Sequence, residues 1–222
     1  LGTGSININS GGTLRVDGFA SMLSTQEINL DGGLLNTRAN NSNVWGNDIN
    51  VLSNSTILVQ REAASGNFNH NQVFGDIDFA GPNNTRLTID SLHGHTAEFG
   101  NVSSNGSGDY LRDGDADITI AGTINIMTRF FFDGGTTTGD GNITVGSFRV
   151  GHANGSFGEF VYDAAGNTLT NTGTMFVGRA GTGTFTQAAG TVNAQGNDLR
   201  TGDTSTGDGT YIKNSGLLSV TR

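Results

Sequence analysis

Three aspartates at alternating positions, Asp113, Asp115 and Asp117, form the strongest chemical motif in the sequence. They lie next to a glycine, and carboxylate oxygens are ligands that Ca²⁺ prefers. An EF-hand loop would need a bidentate glutamate at its twelfth position, but Ile124 stands there. The motif therefore predicts either a calcium site outside the EF-hand pattern or an acidic, solvated loop.

Few other residues offer chemistry. His93 and His95 are one residue apart near Asp90, so both can point to one face of a strand, as a metal or acid–base pair or as solvated surface histidines. The sequence has no Walker-type phosphate loop, no G-x-S-x-G elbow, no H-E-x-x-H pair and no cysteine. We therefore expect a protein that is not an enzyme and has no cofactor other than the candidate calcium.

The last third of the chain repeats one pattern three times, at residues 148–169, 176–192 and 199–218. Each unit contains an apolar strand that ends in glycine, a polar turn, a Gly-x-aromatic step and a second glycine turn. A period of roughly 24 to 27 residues is typical of a solenoid with one supersecondary unit per repeat. The shared aromatic positions are predicted to form an internal ladder of Phe160, Phe185 and Tyr211.

The preceding part of the chain carries a looser repeat, marked by short strands with inward isoleucine and outward Asn, Asp or Thr. Such strict alternation predicts half-buried strands. Most markers are roughly 21 to 28 residues apart, and one gap of about twice that length indicates a coil without a marker plus an excursion. The marker residues are Ile6, Ile28, Ile49, Ile77, Ile118 and Ile143.

The composition favours an all-β protein and excludes some partners. With 36 glycines and 14% charged residues, the chain is rich in residues that favour turns and strands over helices. A net charge of −9, with Lys213 as the single lysine, argues against nucleic acid, and no apolar run is long enough to span a bilayer. The absence of cysteine fits a bacterial surface or secreted protein.

These patterns predict one domain over residues 1–222, a parallel β-helix of about nine coils with loop excursions at 61–75 and 100–116. The Gly-Gly-Thr-Leu step after an Ile-x-Ile strand, and the units at 177–192, resemble passenger regions of bacterial autotransporters and surface proteins with autotransporter-associated β-strand repeats. The resemblance implies a right-handed β-helix, export to the cell surface and roles in adhesion or matrix. A period above 20 residues agrees with that hand.

Both ends of the chain lie within repeats, so we expect either a segment of a longer solenoid or subunits that stack end to end. Three consecutive phenylalanines indicate either a covering loop or bulge, or an exposed contact for a partner, because neighbouring side chains of a strand alternate. The candidate interface residues are Leu1, Phe130, Phe131, Phe132, Leu218, Val220 and Arg222.

Arginines recur at close to one per coil, from Arg15 to Arg222. Stacked like charges repel, so arginines that share a face must be offset or paired with carboxylates such as Asp17, Glu62, Asp113 or Asp203. Chance spacing is the alternative to such an ordered Arg/Asp surface.

The functional hypothesis is an extracellular, non-catalytic β-solenoid that stacks into a filament or forms part of a long surface fibre. The first alternative is a cell-surface adhesin that binds glycans or surfaces through loops. The second is a polysaccharide lyase or hydrolase, because β-helices also host such enzymes.

Overall fold

In the computed structural model, the described residues form 25 short strands, numbered in chain order, that wind into a parallel β-solenoid of about eight turns. The count is close to the nine coils expected, and the all-β parallel fold is confirmed. The structure describes residues 4–18, 25–61, 70–92, 94–104, 106, 109–113, 116–196 and 198–221, with the backbone alone at 109, 110, 112, 113, 127 and 128. Strands from successive turns form three ladders.

The first ladder begins each coil, and all its strand pairs are parallel. Its strands are β1 (Ile6–Asn9), β3 (Ile28–Asp31), β6 (Ile49–Ser53), β9 (Ile77–Phe79), β12 (Val102–Ser104), β15 (Ile124–Phe132), β17 (Ile143–Val150), β19 (Thr168–Asn171), β22 (Thr191–Ala194) and β25 (Leu217–Val220).

The second ladder follows each first-ladder strand after a short turn, and the second halves of β15 and β17 also belong to it. Its other strands are β2 (Thr13–Asp17), β4 (Leu34–Arg38), β7 (Ser55–Gln60), β10 (Arg86–Ser91), β13 (Asp109–Asp113), β20 (Met175–Val177) and β23 (Leu199–Thr201).

The third ladder closes each coil and forms a separate sheet. Its strands are β5 (Asn43–Val44), β8 (Asn71–Val73), β11 (Thr96–Phe99), β14 (Asp117–Ile120), β16 (Thr136–Gly139), β18 (Phe157–Tyr162), β21 (Thr182–Gln187) and β24 (Asp208–Lys213).

Inward side chains from successive coils line up in ranks that fill the rod. Ile6, Ile28, Ile49 and Ile77 are successive register partners in the first ladder. The rank continues through Val102, Ile124 and Ile143. The marker isoleucines therefore identify the first ladder, with one exception.

The exception is Ile118, which lies in β14 of the third ladder and pairs with Ala97 and Thr137. Grouping it with the first-ladder isoleucines is wrong. Alternation shows that a strand is half buried, but does not show which side of the coil it takes. The long gap after Ile77 contains the two first-ladder positions Val102 and Ile124.

The stretch 100–116 is not a loop excursion over its described residues, because it contains β12 and β13. Ser104 and Gly106 are buried there, and the Gly106 N–H donates to Ser104 Oγ over 3.0 Å. Small residues hold inward positions, so the apolar pattern of a strand is missing from the sequence. In the other predicted excursion, 61–75, β8 occupies 71–73, and residues 62–69 lie outside the described part.

A ladder of polar side chains holds the corner between the third and first ladders. Asp48 Oδ1 accepts the Asp76 N–H at 2.9 Å, and Asp76 Oδ1 accepts the Asn101 N–H at 2.7 Å. Asn101 Oδ1 in turn accepts the Thr123 N–H at 2.8 Å. Each side chain thus satisfies a backbone donor of the following coil, which fixes the coil register at a corner where β pairing is interrupted.

Two phenylalanines of one strand, β18, test how much the aromatic rank inside the third ladder contributes to stability. Phe160 is fully buried, whereas Phe157 in the same strand is 53% exposed. We expect Phe160→Ala to lower the free energy of unfolding by about 3–5 kcal/mol, because the ring leaves a cavity. Phe157→Ala should change it by about 0.5 kcal/mol or less. Urea unfolding followed by circular dichroism measures both, and equal losses would contradict a specific core rank.

Gly178 tests the tight turns. Its φ is +68°, and an added Cβ would overlap the carbonyl oxygen of Asp208 in the next coil. Gly155 has a φ of +75° with nothing within 4 Å of such a Cβ. We therefore expect Gly155→Ala to cost about 1–2 kcal/mol from backbone strain alone and Gly178→Ala to cost clearly more. Urea midpoints of the two variants compare them, and a smaller loss for Gly178→Ala would contradict the close coil contact.

Candidate functional site on the arginine face

The arginines gather on one side of the rod. All nine between Arg15 and Arg200 lie in a strand of the second ladder or within two residues of its end. Lys213, by contrast, lies in β24 of the third ladder. We call the side formed by the second ladder the arginine face. The near-regular spacing in the sequence was the signal for this arrangement, and Arg222 lies outside the described residues.

Carboxylates pair with the arginines near both ends of this face. Asp17 lies 2.6 Å from Arg15 and 3.3 Å from Arg38. Arg200 lies 3.0 Å from Asp203, which also lies 3.5 Å from Arg179. The expected pairing is confirmed for Asp17 and Asp203, whereas Glu62 and the Asp113 side chain lie outside the described part.

These ion pairs also shift the pKa values of the aspartates. A hydrogen bond from Arg15 lowers the pKa of Asp17, and one from Arg200 lowers the pKa of Asp203. Since the partners are solvent-exposed, each pair contributes little to stability at physiological salt. Their clearer effect is to neutralise charge at the two ends of the arginine face.

From mid-rod to the Arg200 end, guanidinium groups alternate with phenyl rings. Register pairing places Phe131, Arg149, Phe176 and Arg200 in one outward rank. The Arg149 guanidinium lies 5.2 Å from the ring centroid of Phe131 and 5.0 Å from that of Phe176, while Arg200 lies 5.8 Å from Phe176. Each cation is separated from the next by a ring, so cation–π attraction replaces the repulsion of stacked arginines.

The Phe130–Phe132 run supplies part of this rank. All three side chains are buried. Phe130 and Phe132 belong to the core cluster, while Phe131 leaves it and is covered from outside by Arg149 and by His152, whose ring centroid is 4.5 Å away. The ladder register shifts between Ile126 and Arg129, as the bulge alternative expected. The run does not offer an exposed aromatic surface, so its place among the candidate interface residues is corrected.

A short turn beside this rank is held by Asp133. Its Oδ1 accepts the His152 N–H at 2.5 Å and the Ser156 hydroxyl at 3.1 Å. Burial, and then the nearby Arg149 charge, lower the pKa of His152 to about 4. The imidazole is therefore neutral at physiological pH and packs as an aromatic ring on Phe131.

A polar cleft of about 390 Å³ opens at the middle of the arginine face. Its described lining residues are Asn54, Asn84, Arg86, Asp133 and the turn 153–156. Sequence reasoning missed this cleft, because its walls come from coils that are distant in the chain and its residues follow no motif.

The aspartate motif is only partly described. Asp117 begins β14 and is exposed, only the backbone is described at Asp113, and Asp115 lies outside the described residues. Across the described part of the chain, no three His, Cys, Asp or Glu side chains gather as a metal site would require. The calcium site therefore stays a prediction.

His95 is buried at 1% exposure, so the interpretation as a solvated surface histidine is wrong there, and His93 is outside the described residues.

The last described coil exposes residues that other coils bury. Val220 takes the same register position as Ala194, but it is 47% exposed whereas Ala194 is fully buried. Leu218, the register partner of the buried Val192, is half-buried. Leu1 and Arg222, the other predicted interface residues, lie outside the described part.

No protein-family profile, curated protein or solved structure matches the chain. None of the described residues forms a helix long and apolar enough to cross a bilayer. The stacked ladders by themselves place the chain in the class of parallel β-solenoid repeat proteins.

His152 provides a pH test of the covered aromatic rank. Its pKa of about 4 in the folded protein lies below the unfolded value of 6.5, so the unfolded state binds more protons between these values. Stability from the neutral ring is complete above pH 6.5 and is lost as the pH falls toward 4. We expect the melting temperature of the unsubstituted protein to fall across this pH range, and His152→Gln to remove that fall. The assignment would be wrong if the melting temperatures of both proteins fell equally.

Proposed function

We propose that the chain is a non-catalytic structural protein of the bacterial cell surface or extracellular matrix, a rod that extends by stacking coil on coil. The coil that covers each open end comes either from a longer fibre of the same chain or from another copy. The autotransporter-like repeat pattern of the sequence supports the extracellular location.

The observation that supports this proposal is the last described coil, where side chains at core positions are exposed. Val220 and Leu218 continue the ranks of Ala194 and Val192, and Tyr211 stacks on Phe185 at 5.0 Å. Strands β23, β24 and β25 each pair with one neighbour among the described strands. This coil therefore presents the kind of surface that inner coils use to hold their neighbours: free strand edges around apolar side chains.

The opposite end offers a matching surface. In β1, Ile6 is half-buried, although its register partner Ile28 in β3 is fully buried. A strand in the β25 register could place Leu218 against Ile6 and Val220 against Ile8. Because the two surfaces differ, contact between copies is head-to-tail and does not close on itself, which produces an open filament.

The polar surface supports a structural role over catalysis. Along the first ladder, outward side chains bind one another between coils: Asn29 Nδ2 donates to Asn7 Oδ1 at 2.8 Å, and Asn50 Nδ2 donates to Asn29 Oδ1 at 2.9 Å. The Ser103 hydroxyl donates to Asp78 in the same way. These groups hold the coils together.

Two residues of β25 test the stacking surface. Val220→Lys places a charge at a core position of the junction, whereas Leu217→Lys adds the same charge on the same strand at an outward position. We expect filaments from the unsubstituted 222-residue chain and from Leu217→Lys, and single rods from Val220→Lys, because a buried lysine is costly.

Electron microscopy and sedimentation of purified protein measure the outcome. Filaments should show an axial repeat of about 4.8 Å. Single short rods from the unsubstituted chain at every concentration would exclude stacking between copies and leave only the longer-fibre form of the proposal.

A further inference from the structure

The middle of the arginine face differs from its ends. Arg86 in β10 and Arg129 in β15 are both exposed, and neither has a carboxylate within ion-pair distance among the described residues. One strand, β13, lies between β10 and β15, so the two arginines are about two strand spacings apart, roughly 10 Å along the rod. Among the described side chains, the acidic chain thus carries two exposed arginines without a carboxylate partner at mid-rod.

The polar cleft lies in this same segment. Its described lining includes Arg86 and three asparagines, Asn54, Asn84 and Asn154, all with exposed side chains. Asn54 Oδ1 accepts a hydrogen bond from the backbone N–H of Arg86 at 2.8 Å. This bond fixes the Asn54 side chain and leaves its Nδ2 group as a donor. Amides both donate and accept hydrogen bonds, as the hydroxyl groups of a sugar also do.

One carboxylate, Asp133, lies among the described lining residues. It is 8% exposed, and its Oδ1 already accepts hydrogen bonds from the His152 N–H and the Ser156 hydroxyl. Its role is to hold the 151–156 turn, so among the described lining residues Arg86 is the charged group that remains for a ligand.

We infer that this cleft, together with the neighbouring Arg129, binds an acidic polysaccharide, with sugar hydroxyls on the asparagine amides and carboxylate groups on Arg86 and Arg129. Guanidinium–carboxylate hydrogen bonds are among the strongest available to a side chain and give the site its preference for uronic acids over neutral sugars.

Other anionic partners fit the face less well. Single-stranded nucleic acid needs open aromatic platforms, but Phe131 and Phe176 are 1% and 8% exposed beneath their arginines. Lateral contact with a second copy would bring a flat ladder face against a recessed cleft. Two of the carboxylates on those faces, Asp78 and Glu98, are already hydrogen-bonded to Ser103 and Asn71.

Calorimetric titration tests the inference with an oligogalacturonate as probe and a neutral oligogalactan of equal length as its control. The Val220→Lys chain serves as the background, so that single rods are titrated whether or not the protein forms filaments. We expect binding of the acidic oligosaccharide alone, with an affinity that falls as salt is raised.

Substitutions separate a built site from general charge. Arg86→Gln and Arg129→Gln should each weaken binding about tenfold or more, since each removes a charge-assisted contact. Asn154→Ala keeps every charge and should also weaken binding several-fold. Arg15→Gln, which removes an exposed arginine paired with Asp17 at the end of the same face, should leave affinity unchanged.

Three results would overturn the inference. The first is an equal loss of affinity for Arg15→Gln and Arg86→Gln, which would mean general attraction to the face. The second is equal binding of the neutral oligosaccharide or of a DNA oligonucleotide. The third is salt-sensitive association of the rods without any sugar, abolished by Arg86→Gln, which would assign the segment to contact between copies. Circular dichroism melting of each variant confirms that the fold is retained.

Discussion

Parallel stacking of coils in register is the constraint on which the whole structure depends. Neighbouring coils are about 4.8 Å apart, so every inward side chain packs against its equivalents above and below. A large ring therefore needs either a ring that can stack on it or small residues in the neighbouring coil. Phe160 has both: its ring stacks on Phe185 with centroids 5.7 Å apart, and its register partner in the preceding coil is the smaller Thr137. Gly139 in that same coil leaves room for the ring, because a Cβ there would lie 2.8 Å from it.

Polar side chains extend the same register to places where β pairing stops. At one corner, each oxygen from Asp48 to Asn101 accepts a backbone N–H of the following coil. All these bonds run in one direction, so the rod has a chemical polarity that apolar ranks alone would not give. Two unlike ends follow from this polarity, and it makes any continuation of the rod directional.

The repeats made the fold predictable from the sequence, whereas the candidate site was not predictable from it. Isoleucine alternation identified the strands around Ile28, Ile49 and Ile77, and the glycine-aromatic step identified the Phe160–Phe185–Tyr211 rank, because each depends on local spacing. Ile118 was assigned to the wrong ladder since alternation carries no information on the side of the coil. The cleft needs the relative placement of Asn84 and Asn154, which lie on coils far apart in the chain, and only the coil register supplies it.

The two proposals place lateral recognition and axial growth on different parts of the rod. Axial contact, as proposed, would use inward positions such as Val220, which takes the register position of the buried Ala194. Lateral contact would use outward positions of one ladder, where the same residue type can recur on every coil without disturbing the ranks inside. Recurrence alone would stack cations on one another. The alternation of Arg149 and Arg200 with Phe131 and Phe176 removes that repulsion, so a row of arginines becomes compatible with coils that are 4.8 Å apart.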